Sequence, residues 1–199
     1  MNNAFLKAIQ NRRSIYTLRK ESPISEERIE ALLKEALTNV PSAFNSQSAR
    51  IVLLFGSEHD ALWEIVKEAL RPKVPADRFS QTEAKIDSFK SSYGTILYFD
   101  DTSVTNALKA QFPTYAENFE PWAEQANGML QFAIWTLLES EGLGVNLQHY
   151  NPLIDAAVAK RFNLPDSWLL RAQMPFGAFD TMPPEKEKIP TDERMRIFR

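Results

Sequence analysis

The sequence predicts a layered α/β or α+β domain in which helices cover a sheet. Three observations carry this reading: apolar strand-like runs alternate with helix-period segments, glycine and proline signals separate them, and one long helix is apolar well beyond a single stripe. The 199 residues, 44% hydrophobic and 25% charged, fit one globular domain or one unit of an obligate oligomer. We therefore expect a single domain over 1–199, with 180–199 as a C-terminal arm.

Each element follows from local chemistry. Asn3 to Asn11 carries Phe5, Leu6 and Ile9 in a short amphipathic pattern that runs into Arg12-Arg13-Ser14. After Pro23, Ser25 reads as an N-cap with Glu26 and Glu27 in the first turn. Ile29, Leu32, Leu33, Ala36 and Leu37 then recur at helical spacing, and Pro41 sets the stop. Pro41 to Ser48 is polar and turn-forming, whereas Ile51 to Phe55 is a continuous apolar run, expected to be a central strand buried on both faces. Leu62, Ile65, Val66, Ala69 and Leu70 predict a helix ended by Pro72, and Arg71 to Lys90 is charged with scattered apolar positions.

Thr95 to Phe99 is the second strand, followed by Asp100-Asp101 and a short helix up to Pro113. The longest helix spans Trp122 to Glu141. Its Met129, Leu130, Phe132, Ala133, Ile134, Leu137 and Leu138 make a face wide enough to be buried in a core or between subunits. Gly142 and Gly144 end it; Val145 to Leu147 predicts a short strand, Pro152 to Phe162 a helix and Trp168 to Phe176 a further strand. From Asp180 the chain is rich in proline and charge yet holds Ile189, Ile197 and Phe198, as expected of an extended arm that needs an external surface such as a second subunit.

Composition excludes several classes. A formal net charge of −3 gives no whole-chain field toward nucleic acid or an anionic membrane, so a bound anion must meet a local basic cluster. No apolar stretch approaches the roughly 20 residues of a bilayer span, and the first ten residues do not read as a leader. The expectation is a soluble, cytoplasmic protein with neither a nucleic-acid nor a membrane partner. The absence of cysteine removes thiolate nucleophiles and disulfides, and two histidines do not build a histidine-rich metal centre, so no metal is expected. Neither a dinucleotide-binding Gly-x-Gly-x-x-Gly, a glycine-rich phosphate loop with its lysine, nor a Gly-x-Ser-x-Gly elbow occurs.

Several constellations could carry chemistry. Arg12-Arg13-Ser14 offers two planar guanidinium forks and a hydroxyl to an anion, although an exposed basic turn paired with nearby acids explains the same residues. Asn45 and Gln47 could meet the imide edge of a flat heterocycle, or Ser42 and Asn45 could simply cap a turn. Gln148-His149-Tyr150-Asn151-Pro152 follows a strand, where open α/β sheets carry ligand sites, and His149 could equally be structural. Lys186 and Lys188 share a dianion with Arg12 only if the fold returns the tail; composition alone favours a solvated charged tail. Phe112, Tyr115, Phe119, Trp122 and Phe176 could line an apolar pocket or pack in the core.

Taken in register, these segments resemble the FMN-dependent nitroreductase family over nearly the whole chain. The resemblance rests on Arg12-Arg13-Ser14 after the first helix, Pro41-Ser42-Ala43-Phe44-Asn45-Ser46-Gln47 before a strand, Glu141-Gly142-Leu143-Gly144 after the long helix, and Lys186-x-Lys188 in the tail. Arg13, Tyr16, Asn127-Gly128-Met129 and Leu147-Gln148-His149-Tyr150-Asn151-Pro152 look like the short subgroup named for fatty acid repression mutants. The resemblance implies an α+β fold with a mainly antiparallel central sheet flanked by helices. It also implies an intertwined homodimer with FMN sites built from both chains.

Carried over, Arg12, Lys186 and Lys188 would meet the FMN phosphate, with Arg13 and Ser14 beside the phosphate, ribityl chain or flavin edge. Asn45 and Gln47, from the partner subunit, would bind the pyrimidine edge, with Ser42 in the same loop. Leu147, Gln148 and His149 would run along the opposite edge, with a backbone N–H near His149 facing flavin N5. Tyr16 stands where many members carry a lysine, so a charge that would stabilise reduced flavin is lost or moves to Arg13. The resemblance further implies NADH or NADPH as hydride donor to flavin N5, and a small aromatic acceptor, a nitroaromatic or a quinone, reduced by a ping-pong cycle. No side chain is assigned as catalytic, although His149 is a candidate proton source. The alternative is a flavin-dependent redox, stress or lipid-signalling regulator in which turnover is incidental.

Overall fold

The computed structural model describes residues 3–199 and places a four-stranded sheet between two helical layers. The strands are β1 (Ala49–Phe55), β2 (Gly94–Asp101), β3 (Gly144–Val145) and β4 (Trp168–Gly177), in the order β1-β2-β4-β3. Every pairing is antiparallel, as the resemblance implied and unlike the open α/β sheet used to motivate the segment at 148–152.

Helix α1 (Ala4–Asn11) is capped by Asn3, whose side chain accepts from the Leu6 N–H, and buries no residue within the chain. Ser25 caps α2 (Glu26–Asn39) as its chemistry predicts, accepting from the Arg28 N–H at 3.2 Å. Helices α3 (Gly56–Leu70) and α4 (Phe79–Lys90) follow β1; the second fills the charged stretch that sequence left without an element. Helix α5 (Thr102–Gln111) leaves β2, and the long helix α6 (Phe119–Ser140) starts three residues earlier than its apolar pattern indicated. Its last turn closes through Gly142, at φ +86°, while the Leu143 N–H returns to Leu138 O at 3.1 Å. Only glycine enters that region cheaply. Helix α7 (Asp155–Phe162) precedes β4, and the tail after β4 holds one short helix, α8 (Thr191–Arg194).

Two cores form, one on each face. Ile96 and Tyr98 of β2 meet Ala172, Met174 and Phe176 of β4 beneath α2 and α6, and burying each large side chain there contributes about 1.5–3 kcal/mol. Leu97, Phe99 and Leu170 pack instead with Trp63, Phe89 and Val158 from α3, α4 and α7. A register shift between Tyr98 and Phe99 makes this possible. Tyr98 pairs with Ala172 but Phe99 pairs with Leu170, so Arg171 is the extra residue of a bulge.

Strand β1 corrects one expectation: it is an edge strand, not a central one. Its apolar run arises because Ile51, Leu53 and Phe55 pack toward α2 and α6 while Val52 and Leu54 pack toward the other core. Layers cover both faces although the outer edge has no neighbouring strand among the described residues. Of the three long strands, β2 is the one buried at every position. No helix among the described residues is long and apolar enough to cross a membrane.

Candidate functional site

The loop leaving α1 is fastened to α6. The Arg13 N–H donates to Glu139 Oε2 at 2.7 Å, and the Trp135 indole N–H donates to Glu139 Oε1 at 2.8 Å and to the Arg13 carbonyl at 3.3 Å. The Arg12 guanidinium lies over the Trp135 ring, 4.6 Å from its centroid, a geometry that attracts a cation to the ring face. The Arg13 guanidinium donates to the Pro184 carbonyl, which brings the tail back across the end of α1. A recess of about 330 Å³ results, lined by Arg12, Arg13, Lys186 and Lys188 together with Gln10 and Glu185. The tail is solvated, with Lys186 and Lys188 exposed, yet it is fastened: a prolyl carbonyl captured by Arg13 puts both lysines with Arg12. Ser14 is half-buried beside these cations, and Tyr16 is 51% exposed.

The same loop is tied to the segment after β3. The Ile15 N–H donates to the Val145 carbonyl at 2.9 Å, and the Ile15 carbonyl accepts from the fully buried Asn146 side chain at 2.8 Å. Asn146 Oδ1 in turn accepts from the Gln148 amide at 2.8 Å. Gln148 exchanges backbone hydrogen bonds with Gln173 of β4 at 2.7 and 2.9 Å. The backbone N–H groups of Asn146 and Gln148 both turn toward β4, so by strand alternation those of Leu147 and His149 point away from it. Neither of those two N–H groups has a partner among the described residues. The Leu147 side chain packs on the α6-side core, and His149 is exposed. The Gly177 end of β4 completes the seam: Arg19 bridges to Ala178, and a Cβ at 177 would sit 2.4 Å from the Arg19 carbonyl.

The loop before β1 behaves differently. Ser42 does cap it, with Oγ accepting from the Gln47 N–H at 2.9 Å and its carbonyl from the Asn45 N–H at 3.0 Å. Phe44, Asn45 and Gln47 all adopt left-handed φ, at 56°, 50° and 49°, costing of order 1–3 kcal/mol each unless the surroundings repay it. Part of the compensation is visible: the Phe44 ring contacts Phe112, Tyr115, Phe119 and Trp122, with centroids 5.0–5.9 Å away. Four of the five aromatics named from sequence thus form one cluster. Phe176 does not join it and is buried against Phe55 and Tyr93. Asn45 and Gln47 are exposed and do not line the cationic recess.

Sequence reasoning missed Trp135, Glu139 and Asn146. The first two stand one turn apart near the end of α6, where Glu139 directly follows Leu137 and Leu138, and an acid beside that apolar run was the available signal. Burial pushes the Glu139 carboxyl up to about 7, against the Arg13 N–H, the Trp135 N–H and the charges of Arg12 and Arg13, which all favour the carboxylate.

The antiparallel α/β/α sandwich thus carries a cationic recess at one end of α1 and, at the neighbouring sheet edge, backbone donors without partners among the described residues, an arrangement suited to an anionic ligand. Residues 9–178 match the model of the nitroreductase family. The chain is 37% identical over 190 residues to Saccharomyces cerevisiae HBN1, covering 94% of each protein. It is 35% identical over 184 residues to the nitroreductase FRM2 of the same yeast, covering 92% of this chain and 91% of that one. Nitroreductase CinD from Lactococcus lactis, solved in complex with chloramphenicol, superposes with a TM-score of 0.90 at 43% identity, covering 98% of this chain and all of that one. This chain belongs to the nitroreductase family, an oxidoreductase family, within the fatty-acid-repression-mutant-like subgroup.

Proposed function

We propose that the protein is an FMN-dependent oxidoreductase that takes reducing equivalents from NADH or NADPH and passes them to nitroaromatic or quinone acceptors by a ping-pong cycle. The observation that carries this reading is the convergence of Arg12, Arg13, Lys186 and Lys188 on one recess. A phosphate monoester carries about −1.5 to −2 charges, which this cation set suits. When bound, FMN supplies a two-electron store whose N5 accepts and returns hydride.

The chain's own groups bind and orient. Arg12, Lys186 and Lys188 would hold the phosphate, with Arg13 and Ser14 beside it. The outward N–H groups of Leu147 and His149 would meet the flavin edge, and Gln148 holds that segment in place through Asn146. Asn45 and Gln47 lie outside the recess of their own chain and would serve the site of a second copy, with Ser42 shaping their loop. Tyr16 leaves the pyrimidine side without a lysine. The exposed His149 side chain is the candidate proton source. The acceptor class is supported by the CinD complex with 4-nitrophenol, a protein 44% identical to this chain.

The site so drawn requires a homodimer. Phe5 and Leu6 of α1 are 65% and 50% exposed, and Met129 and Phe132 of α6 are 46% and 37% exposed. Beside them a groove of about 350 Å³ is lined by Ala36, Val40, Ala133 and Leu137. Such apolar area calls for cover, and the proposed cover is a second copy with its 180–199 arm.

A visible absorption spectrum of the purified protein, before and after anaerobic NADH or NADPH, tests the function. Flavin bands that bleach with a nucleotide are the expected result. Bands that resist both nucleotides would favour the regulator, and absence of flavin after addition of FMN would overturn the cofactor.

A further inference from the structure

Trp135 and Glu139 converge on the loop that carries Arg12 and Arg13. Glu139 accepts from two donors at once, the Arg13 backbone at 2.7 Å and the Trp135 indole at 2.8 Å. The first bond holds the loop backbone. The second holds the indole plane on which the Arg12 guanidinium rests. Arg13 then reaches the carbonyl of Pro184, two residues before Lys186. One half-buried carboxylate thus stands behind three of the four cations of the recess, without lining it.

We propose that Glu139 is a positioning residue for the phosphate cradle, and that occupation of the cradle by a phosphate dianion is coupled to protonation of the Glu139 carboxyl. This rests on the reading of the recess as an FMN phosphate site. The coupling follows from charge. The ionised carboxylate is favoured by the charges of Arg12 and Arg13, which would also serve the phosphate, and the two anions repel, so a bound dianion favours the neutral acid.

The surroundings set where this happens. Arg12 and Arg13 face the carboxyl from the loop, and Glu185, Lys186 and Lys188 line the recess from the tail. Just past α6, Glu141 is engaged by Arg28 of α2, while Glu35 of α2 lines a separate groove with Ser140. Burial already holds Glu139 at about 7 before any ligand. Above that point, binding a dianion has to take up a proton, and affinity falls as pH rises. Below it the acid is already neutral and this dependence disappears. The phosphate's own second ionisation, near 6, acts at the lower end and is common to all variants.

The experiment is FMN titration of the flavin-depleted full-length protein by fluorescence quenching between about pH 6 and pH 8.5, with riboflavin as the phosphate-free probe. The parent's FMN affinity should fall above pH 7 by about tenfold for each unit that the dianion adds to the carboxyl's pKa. Glu139→Gln should lose that falling limb, and riboflavin should not show it. Trp135→Phe keeps an aromatic ring under Arg12 and removes one donor from the carboxylate, so its falling limb should move to higher pH. This variant decides the matter if Glu139→Gln does not fold. FMN binding with one pH profile in the parent and the variants would overturn the role of Glu139 alone; a parent that binds no FMN would overturn the flavin reading and this inference together.

Discussion

Asn146 joins the two halves of the candidate site, and its removal has a calculable cost. Its side chain is fully buried, donates to the Ile15 carbonyl at 2.8 Å and accepts from Gln148 at 2.8 Å. Asn146→Ala leaves the Ile15 carbonyl, on a residue only 2% exposed, without its donor. An orphaned buried acceptor costs about 1–3 kcal/mol, and the space left by the amide adds about 1 kcal/mol. The half-buried Gln148 amide can turn toward water, so its share is small. The expected loss is about 2–4 kcal/mol, which for a chain of this size lowers Tm by roughly 5–12 °C. Asn146→Asp separates donor from volume, since it fills the space but cannot donate when ionised, and it should cost at least as much as alanine. Thermal unfolding followed by circular dichroism measures both variants, and hydrogen exchange at the Ile15 N–H, bonded to Val145, reports the local release. A Tm for Asn146→Ala within about 1 °C of the parent, or an aspartate variant as stable as the parent, would refute the reasoning.

Two further outcomes follow from other parts of the molecule. Replacing Arg12 and Lys188 together by alanine should weaken FMN binding by about a hundredfold or more while leaving riboflavin affinity nearly unchanged, because only the phosphate loses partners; equal losses for both ligands in equilibrium titrations would contradict the cradle. The fully buried His59 should make stability fall in mild acid. Its Nε2–H donates to the Lys90 carbonyl at 3.0 Å, and its Nδ1 accepts from the Thr95 hydroxyl, whose oxygen takes the Trp63 indole N–H at 3.0 Å. That chain needs the neutral ring, and burial holds the folded pKa below its ordinary value. The unfolded chain therefore binds the proton first, and stability declines as pH drops from about 6.5 toward the folded pKa. Urea unfolding at several pH values should show a steeper acid loss in the parent than in His59→Gln; identical slopes would exclude His59 as the cause.

Local chemistry decided a great deal here. Ser25, the 3.6-residue spacing of α2 and α6, and the apolar runs of β1, β2 and β4 specify their elements because capping and periodicity act within a few residues. Arg12-Arg13-Ser14, the 41–47 turn and Lys186-x-Lys188 were legible as separate polar segments, and their order along the chain sufficed to suggest the family. Tertiary structure alone decided which strand lies at the edge, because a run covered on both faces reads the same whether or not its outer hydrogen bonds are paired. The resemblance implied that Lys186 and Lys188 join Arg12, but only the tertiary structure gave the contact that returns the tail to α1, a guanidinium meeting one prolyl carbonyl. Glu139 and Asn146 were unreadable for the same reason: each matters through partners far away in sequence, and the backbone groups they satisfy exist only once loop, helix and sheet edge have met.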